Sequence, residues 1–196
     1  MRRAHAGFAL LLLAAWLPRA IAEEPTDSPL DALLARLRSH EHRRATFTER
    51  FSSHLLDAPL ESRGELVYDA PDHLEKRTLA PRPERMVLDH GTLTLERRHR
   101  TLTTTLAAYP EAAPYIDSIR ATLAGDRAGL ERVFRVSYLG GAEAWTLSLE
   151  PRAAAHGSSG VRRIRIDGAA EEIRTVTIEL GNGDSTRMTL DSARAG

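Results

Sequence analysis

The sequence predicts an α+β fold in which an antiparallel β-sheet is combined with amphipathic helices. Two observations lead to this prediction. Short segments in which apolar and polar residues alternate follow each other with few residues between them, as in antiparallel meanders and unlike βαβ units. Two other segments, one before the first block of strands and one between two blocks, repeat apolar residues every three or four positions, which indicates helices.

The N-terminus is predicted to be a secretory signal peptide. Arg2 and Arg3 precede an apolar run over residues 8–17, and the small-residue pattern Ala20-Ile21-Ala22 follows. A membrane anchor is the alternative, but about ten apolar residues fall short of the roughly 20 needed to span a bilayer. We therefore expect cleavage after Ala22, export, and a single domain over residues 23–196.

The first predicted element of the exported domain is a helix. Ser28 and Pro29 form an N-cap and first-turn pair. Four leucines then recur at helical spacing, namely Leu30, Leu33, Leu34 and Leu37. The pattern predicts one amphipathic helix that ends near Ser39.

A first block of strands follows this helix. Phe47 and Phe51 share one face of the first strand, because alternate residues of a strand point to the same side. Pro71-Asp72 and Asp89-His90-Gly91 are turn signals between later segments. The predicted strands are 45–51, 60–70, 73–79, 84–89 and 92–98, with 101–106 as a further candidate.

A helical insert separates the two blocks of strands. Its apolar residues recur at three- and four-residue steps and are Ala112, Ile116, Ile119, Leu123, Leu130, Val133 and Phe134. Gly125-Asp126 breaks the insert into two helices and is a candidate hinge. The second block is predicted at 133–139, 145–149, 161–166, 173–180 and 185–190, with a hairpin turn at Gly181-Asn182-Gly183-Asp184 before its last strand.

Composition excludes several kinds of site and partner. Lys+Arg and Asp+Glu are equal at 27 each, so no net charge attracts nucleic acid, which we do not expect as a partner. The sequence has no cysteine, which rules out disulfides, thiol catalysis and thiolate metal sites. The stability of the domain must therefore come from packing.

No residue pattern in the sequence predicts catalysis or a metal site. His40 and His42 would share one strand face, but no third ligand follows at a spacing that closes a site. Glu171 and Glu172 are adjacent, so a strand would point them to opposite faces. The arginines of 162–165 fit a half-exposed strand better than an anion site. We expect a binding or carrier protein without enzymatic activity, metal or cofactor.

Several short motifs in the first block of strands occur in a characteristic order. They are Phe47-Thr48-Glu49, the stretch Gly64 to Pro71, Pro81 to Glu84, Met86 to Asp89, and Gly91-x-Leu93. In this order and spacing they resemble the LolA-like family of periplasmic carriers of outer-membrane lipoproteins. The helix before them and the helical insert after them fit the same family, so the resemblance covers essentially the whole exported chain.

The sequence also departs from the family pattern. Leu74-Glu75-Lys76 replaces an aromatic pair, Leu95-Glu96 replaces a Tyr-Asp, and Glu49 stands where a Gln is usual. Ala70 stands where the best-known members have an arginine that latches the helical lid. The chain thus resembles a divergent member of the family. Its cargo is left open between lipoprotein acyl chains, an aryl polyene lipid and another lipid.

The resemblance implies a strongly curved antiparallel sheet, an open half-barrel whose concave apolar face is covered by amphipathic helices. It further implies a periplasmic monomer that carries acyl chains from an inner-membrane exporter toward an outer-membrane acceptor. The residues expected to bind lipid are Phe47, Phe51, Leu66, Tyr68, Leu74, Met86, Leu88, Leu93, Leu95 and Trp145. The residues expected to form the lid are Leu30, Leu33, Leu34, Leu37, Ile116, Ile119 and Leu123.

Two other functions stay open at this point. The same fold could serve as a non-transporting interaction or sensor domain, which a filled interior without a continuous cavity would favour. An enzyme of lipid or glycan metabolism is the third candidate, but no residues in the sequence indicate its chemistry. For each residue of the two sets above, ordinary packing in a hydrophobic core is the alternative to cavity lining.

Overall fold

The structure is a computed structural model that describes residues 28–98, 100–108, 113–152 and 160–192. The predicted signal peptide, with its cleavage site after Ala22, lies outside the described residues, as does Ala112 of the helical insert. The helices are α1 (Pro29–Arg38), α2 (Ala113–Leu123) and α3 (Arg127–Val133), with a 3₁₀ turn at Leu106–Ala108. The strands are β1 (His42–Ser52), β2 (Leu60–Asp69), β3 (His73–Ala80), β4 (Glu84–Asp89), β5 (Thr92–Arg97), β6 (Arg100–Thr105), β7 (Phe134–Gly140), β8 (Trp145–Pro151), β9 (Val161–Ala169), β10 (Glu172–Leu180) and β11 (Ser185–Ser192).

All eleven strands form one antiparallel sheet in the order β6-β5-β4-β3-β2-β1-β11-β10-β9-β8-β7. The first and last strands of the domain meet in its middle, where β1 pairs with β11. The two edges are β6 and β7, which do not pair with each other, so the sheet is unclosed. The helical insert follows β6 and precedes β7 in the chain.

The sheet is curved around its buried side. Strands lie about 4.8 Å apart, so eleven of them laid flat would measure about 48 Å across. Helices of 10 and 11 residues, such as α1 and α2, are only about 15 to 17 Å long. Yet one cluster of buried residues joins both helices to Leu88 in β4 and Leu147 in β8, near opposite edges of the sheet. The prediction of an antiparallel sheet combined with helices, in a curved and open arrangement, is confirmed.

The predicted hairpin turn between β10 and β11 is confirmed. The Asp184 carbonyl oxygen accepts a hydrogen bond from the Leu180 N–H at 2.9 Å, which closes the turn. Gly183 takes a left-handed backbone angle, with φ at 90°, a conformation that costs glycine little. Asn182 stabilises the turn because its side-chain oxygen accepts a hydrogen bond from the Asp184 N–H at 3.1 Å.

Two local expectations are wrong. The helical spacing of the insert and the predicted strand 133–139 overlap at Val133 and Phe134; the strand prediction holds at Phe134, which has an extended backbone and begins β7 while its N–H caps α3 on the Leu130 carbonyl, and the helical one is wrong there. His40 and His42 do not share a strand face, because β1 begins only at His42. His40 lies in the connection from α1, with its Nδ1 atom 3.4 Å from the Arg36 carbonyl oxygen.

The short helices are fixed to each other by capping and charge. The Ser28 hydroxyl accepts a hydrogen bond from the Asp31 N–H at the start of α1, which satisfies one of the free amides there. Arg127 in α3 donates to Asp31 at 2.7 Å and to Glu131 at 2.8 Å. Hydrogen bonding by Arg127 and Ser28 lowers the pKa of Asp31.

Within the described residues, no helix has the length and apolar character needed to cross a membrane.

Candidate functional site

One face of the sheet, called the inner face below, is mainly apolar over its central strands. The cross-strand register sets it, because residues directly opposite each other on neighbouring strands lie on the same side. In the first half, Tyr68 faces Leu74, Leu74 faces Leu88, and Leu88 faces Leu93. In the second half, Met188 faces Val176 and Val176 faces Ile166, which in turn faces Leu147. The two halves meet on β1 at Ala45, which faces Leu66, and at Phe47, which faces Leu190, so the apolar surface runs from β5 through β1 to β8.

The structure brings most of the predicted lipid-binding residues together on this face. Six of them are buried in the core cluster, namely Phe47, Tyr68, Leu74, Leu88, Leu93 and Trp145. Leu66, Met86 and Leu95 are partly buried and pack against the cluster. Phe51 lies nearer the end of β1 and is half-exposed. Their position supports a shared apolar surface, whereas binding of a lipid to it stays a prediction.

The seven predicted lid residues lie in the same cluster. Leu30, Leu33, Leu34 and Leu37 of α1 are all buried, as are Ile116, Ile119 and Leu123 of α2. The apolar stripes of both helices therefore pack in the interior with the sheet residues, as amphipathic helices of a globular domain do. Movement of these helices as a lid stays a prediction.

A small cavity lies where α2 meets the inner face. It has a volume of about 80 Å³ and is lined by Leu66, Tyr68 and Leu74 of the predicted set and by Ile119 and Leu123 of α2. Pockets that hold drug-sized ligands measure about 300 to 1,000 Å³. The interior as described is thus mostly filled by side chains, and a long acyl chain would fit only if the helices moved away from the sheet.

Sequence reasoning missed the part of this cavity formed by the centre of the sheet. Ala45 of β1, Val176 of β10 and Met188 and Leu190 of β11 line it together with the predicted residues. The alternation of apolar and polar residues in the last two strands could have predicted part of this lining, since it places Val176 and Met188 on the apolar faces of their strands. It does not show which strands are adjacent, and β11 lies beside β1 only through a long-range pairing.

A polar connection joins α2 to the turn between β2 and β3. The Arg120 guanidinium donates to the Asp72 carboxylate at 2.9 Å, and Asp117 on the same helix lies 3.4 Å from Arg120. Tyr68 beside this turn donates its hydroxyl to the Pro71 carbonyl oxygen at 3.2 Å, and burial raises its pKa. Arg120 thus supplies an ion pair to this turn from the helix side.

An ion pair between Lys76 and Glu49 interrupts the apolar inner face. Lys76 Nζ lies 2.5 Å from Glu49 Oε2, and each of the two side chains is only 17% exposed. The Ser62 hydroxyl donates to the same oxygen at 3.1 Å, and Lys76 Nζ lies 5.0 Å from the centre of the Phe47 ring. Burial raises the pKa of Tyr115 in α2, and the charge of Glu49 adds to the rise. Burying a charged side chain is costly unless it is paired and hydrogen-bonded. Because Glu49 and Lys76 pair with each other, both can lie on the inner face.

Among the described residues, no three histidine or acidic side chains lie close enough together to hold a metal ion.

Arg43, the one arginine of the cavity lining that is partly buried, has a structural role. It donates to the Leu37 carbonyl at 2.8 Å and to the Glu171 carbonyl at 2.7 Å, and burial lowers its pKa. It thereby holds the end of α1 on the turn between β9 and β10.

Three solved structures match most of this chain in fold at low sequence identity. A LolA superfamily protein from Nitrosomonas europaea is 8% identical, with 84% of this chain and 91% of that chain covered and a TM-score of 0.48. A DUF1329 family protein from Desulfovibrio piger is 8% identical, with 83% and 88% covered and a TM-score of 0.49. The lipoprotein LppX from Mycobacterium tuberculosis is 10% identical, with 84% and 97% covered and a TM-score of 0.42.

Sequence comparison gives the family directly. The search of curated protein sequences found no match. The model of the family described as "Outer membrane lipoprotein carrier protein LolA-like" matches residues 22–196, which is nearly the whole chain and includes every strand and helix described above. The chain therefore belongs to the LolA-like family of outer-membrane lipoprotein carrier proteins.

Proposed function

We propose that the protein is a periplasmic carrier that encloses the acyl chains of a lipoprotein or another lipid and moves them toward the outer membrane. The observation that carries this proposal is the apolar inner face, which shares one core cluster with the amphipathic helices α1 and α2 and encloses a cavity beneath α2. Residues 1–22 would direct export and be removed, which leaves the domain from residue 23 onward in the periplasm. An inner-membrane exporter would load the carrier, and an outer-membrane acceptor would receive the lipid.

The energetic reason for such a carrier is the exposure of an acyl chain to water. Each CH₂ group costs about 0.8 kcal/mol when exposed, so a chain of about 16 carbons costs about 13 kcal/mol. The apolar inner face offsets this cost if the acyl chain lies against it, because the CH₂ groups are then removed from water. The two residue sets predicted to bind lipid and to form the lid would supply the floor and the cover of this space.

Loading requires the helices to move, because the cavity of about 80 Å³ is far smaller than an acyl chain needs. The ion pair between Arg120 and Asp72 is partly exposed, with side-chain exposures of 25% and 35%. Ion pairs of this kind contribute about 1 kcal/mol or less, so it can hold the closed state without locking it. Gly125, with φ at 66°, lies between α2 and α3 and is the candidate hinge.

The small volume of the cavity favours a second candidate function. A non-transporting interaction or sensor domain would use the same fold with a permanently filled interior. The buried side chains of α1 and α2 would then be ordinary core residues.

Native mass spectrometry of the protein purified gently from the bacterial envelope distinguishes the two functions. We expect a bound species whose mass corresponds to a lipid or a lipidated protein, released by gas-phase activation. The carrier proposal would be abandoned if the protein flew only at its apo mass and also failed to take up lipid when incubated with membrane extract. A protein partner found in place of lipid would support the interaction domain.

A further inference from the structure

A second and larger groove lies on the inner face, at the end of β3 to β6 opposite the Asp72 turn. It has a volume of about 900 Å³ and is formed by the tips of the β3–β4 and β5–β6 hairpins. Its charged and apolar lining residues are Arg82, Glu84, Arg97, Arg98, Arg100, Leu95 and Leu102. Four arginines and one glutamate give it a local net charge of +3, in a protein whose formal net charge is zero.

The polarity of the inner face changes stepwise toward this groove. Leu88 and Leu93 face each other deep in the sheet, where each is 1% exposed. Two residues along, Leu95 faces Leu102, which is 48% exposed. After two more residues, Arg97 faces Arg100 at the rim. One continuous surface thus passes from buried and apolar to exposed and basic within three cross-strand rows.

The four arginines at the rim of the groove, Arg82, Arg97, Arg98 and Arg100, are not all neutralised by ion pairs. Glu84 pairs with Arg97 at 3.4 Å, whereas Arg82, Arg98 and Arg100 form no ion pair with any described residue. Arg97 and Arg100 are directly opposite, an arrangement of like charges that destabilises a sheet. By contrast, Arg77 and Arg85 on the other face of the sheet both pair with Glu75. The rim therefore concentrates positive charge that an anion between the arginines would balance.

We propose that this groove binds the anionic head group, a phosphate or carboxylate, of the lipid whose apolar tail lies along the inner face. The inference rests on the proposed function and names its ligand class, an anionic amphiphile. Leu95 and Leu102 would contact the first part of the tail, and Arg82, Arg97, Arg98 and Arg100 would donate hydrogen bonds to the head-group oxygens. Charge-assisted hydrogen bonds from several guanidinium groups would then select anionic lipids over neutral ones.

The test compares two lipids with the same tail, palmitoyl lysophosphatidylglycerol and monopalmitoylglycerol, below their micelle concentrations. The wild-type protein is expected to bind the anionic lipid about tenfold or more tightly than the neutral one. The variant R97Q/R98Q/R100Q should lose this preference and bind the neutral lipid as before. A matched control, R50Q/R165Q/R187Q, removes three exposed arginines from the other face of the sheet and should keep it. Circular dichroism checks that both variants fold.

Four outcomes would overturn the inference. Equal binding of both lipids by the wild-type protein refutes the head-group site and leaves the carrier function standing. Retention of the preference by R97Q/R98Q/R100Q places the selectivity elsewhere. Inorganic phosphate that binds as tightly as the anionic lipid identifies a site for soluble anions instead. Failure of both lipids to bind refutes the carrier function itself, and this inference with it.

Discussion

The variant Ala45→Leu is expected to bind a fluorescent palmitoyl probe about thirtyfold more weakly than the wild-type protein. Ala45 lines the cavity between the inner face and α2, and it lies opposite Leu66 of β2. Leucine adds three carbon atoms to that space, which would displace a similar number of CH₂ groups of a bound chain. At about 0.8 kcal/mol for each group the loss is about 2 kcal/mol, equivalent to the thirtyfold change.

The same substitution should leave the free energy of unfolding unchanged or raise it, because filling a cavity commonly stabilises a protein. Urea denaturation of both proteins without the probe measures this separately. Thr46→Leu is the matched control, since Thr46 is exposed on the other side of the same strand. It should bind the probe like the wild-type protein. Unchanged probe affinity in Ala45→Leu would mean that the chain does not enter this cavity.

Replacing Gly64 with alanine should lower the free energy of unfolding by about 3 kcal/mol. Gly64 lies in β2 beside an irregularity in the pairing with β3. A Cβ atom built there would overlap the carbonyl oxygen of Arg77 and approach Cε1 of the Phe47 ring at 2.9 Å. Relief of this clash requires β3 or the buried Phe47 to shift, and overpacking of this kind costs about 1 to 3 kcal/mol or more.

Gly141→Ala is the control for this prediction. Nothing lies within 4 Å of a Cβ atom built at Gly141, and its backbone does not require glycine. Its free energy of unfolding should therefore change by less than about 1 kcal/mol in either direction. Urea denaturation at neutral pH compares the three proteins. Equal stability of Gly64→Ala and Gly141→Ala would show that β2 and β3 are less closely paired at Gly64 than described.

Much of the fold follows from residues that are close in the sequence. The alternation around Phe47 and the leucines of α1 report which side of each element is apolar, because the period of each element is local. The resemblance to the family likewise depends on the order and spacing of short motifs between Phe47 and Leu93, which can be read directly from the sequence. Phe134 is the exception, because its spacing from Leu130 fits a helix while its backbone is already a strand.

The candidate site depends on contacts that local patterns do not encode. The cavity forms where β11 pairs with β1, and this pairing joins segments about 140 residues apart, such as Phe47 and Leu190. Whether Ile119 fills the interior or covers an open space depends on the packing of α2 as a whole. The basic groove likewise needs the β4–β5 register that puts Glu84 opposite Arg97 and brings Arg82 to the same end of the sheet.

Hydrogen exchange of the lipid-free and lipid-loaded protein tests the central claim most directly, because the carrier must part its helices from its sheet. In the lipid-free protein, amides of α1 and α2 should exchange faster than those of β1 and β11, because helices of 10 and 11 residues lose most of their stability once they leave the sheet, whereas the sheet stays intact. Loading with lipid should slow exchange in the helices and leave the central strands unchanged. Helices that exchange only as slowly as the sheet, with or without lipid, would contradict a moving lid and a transported chain.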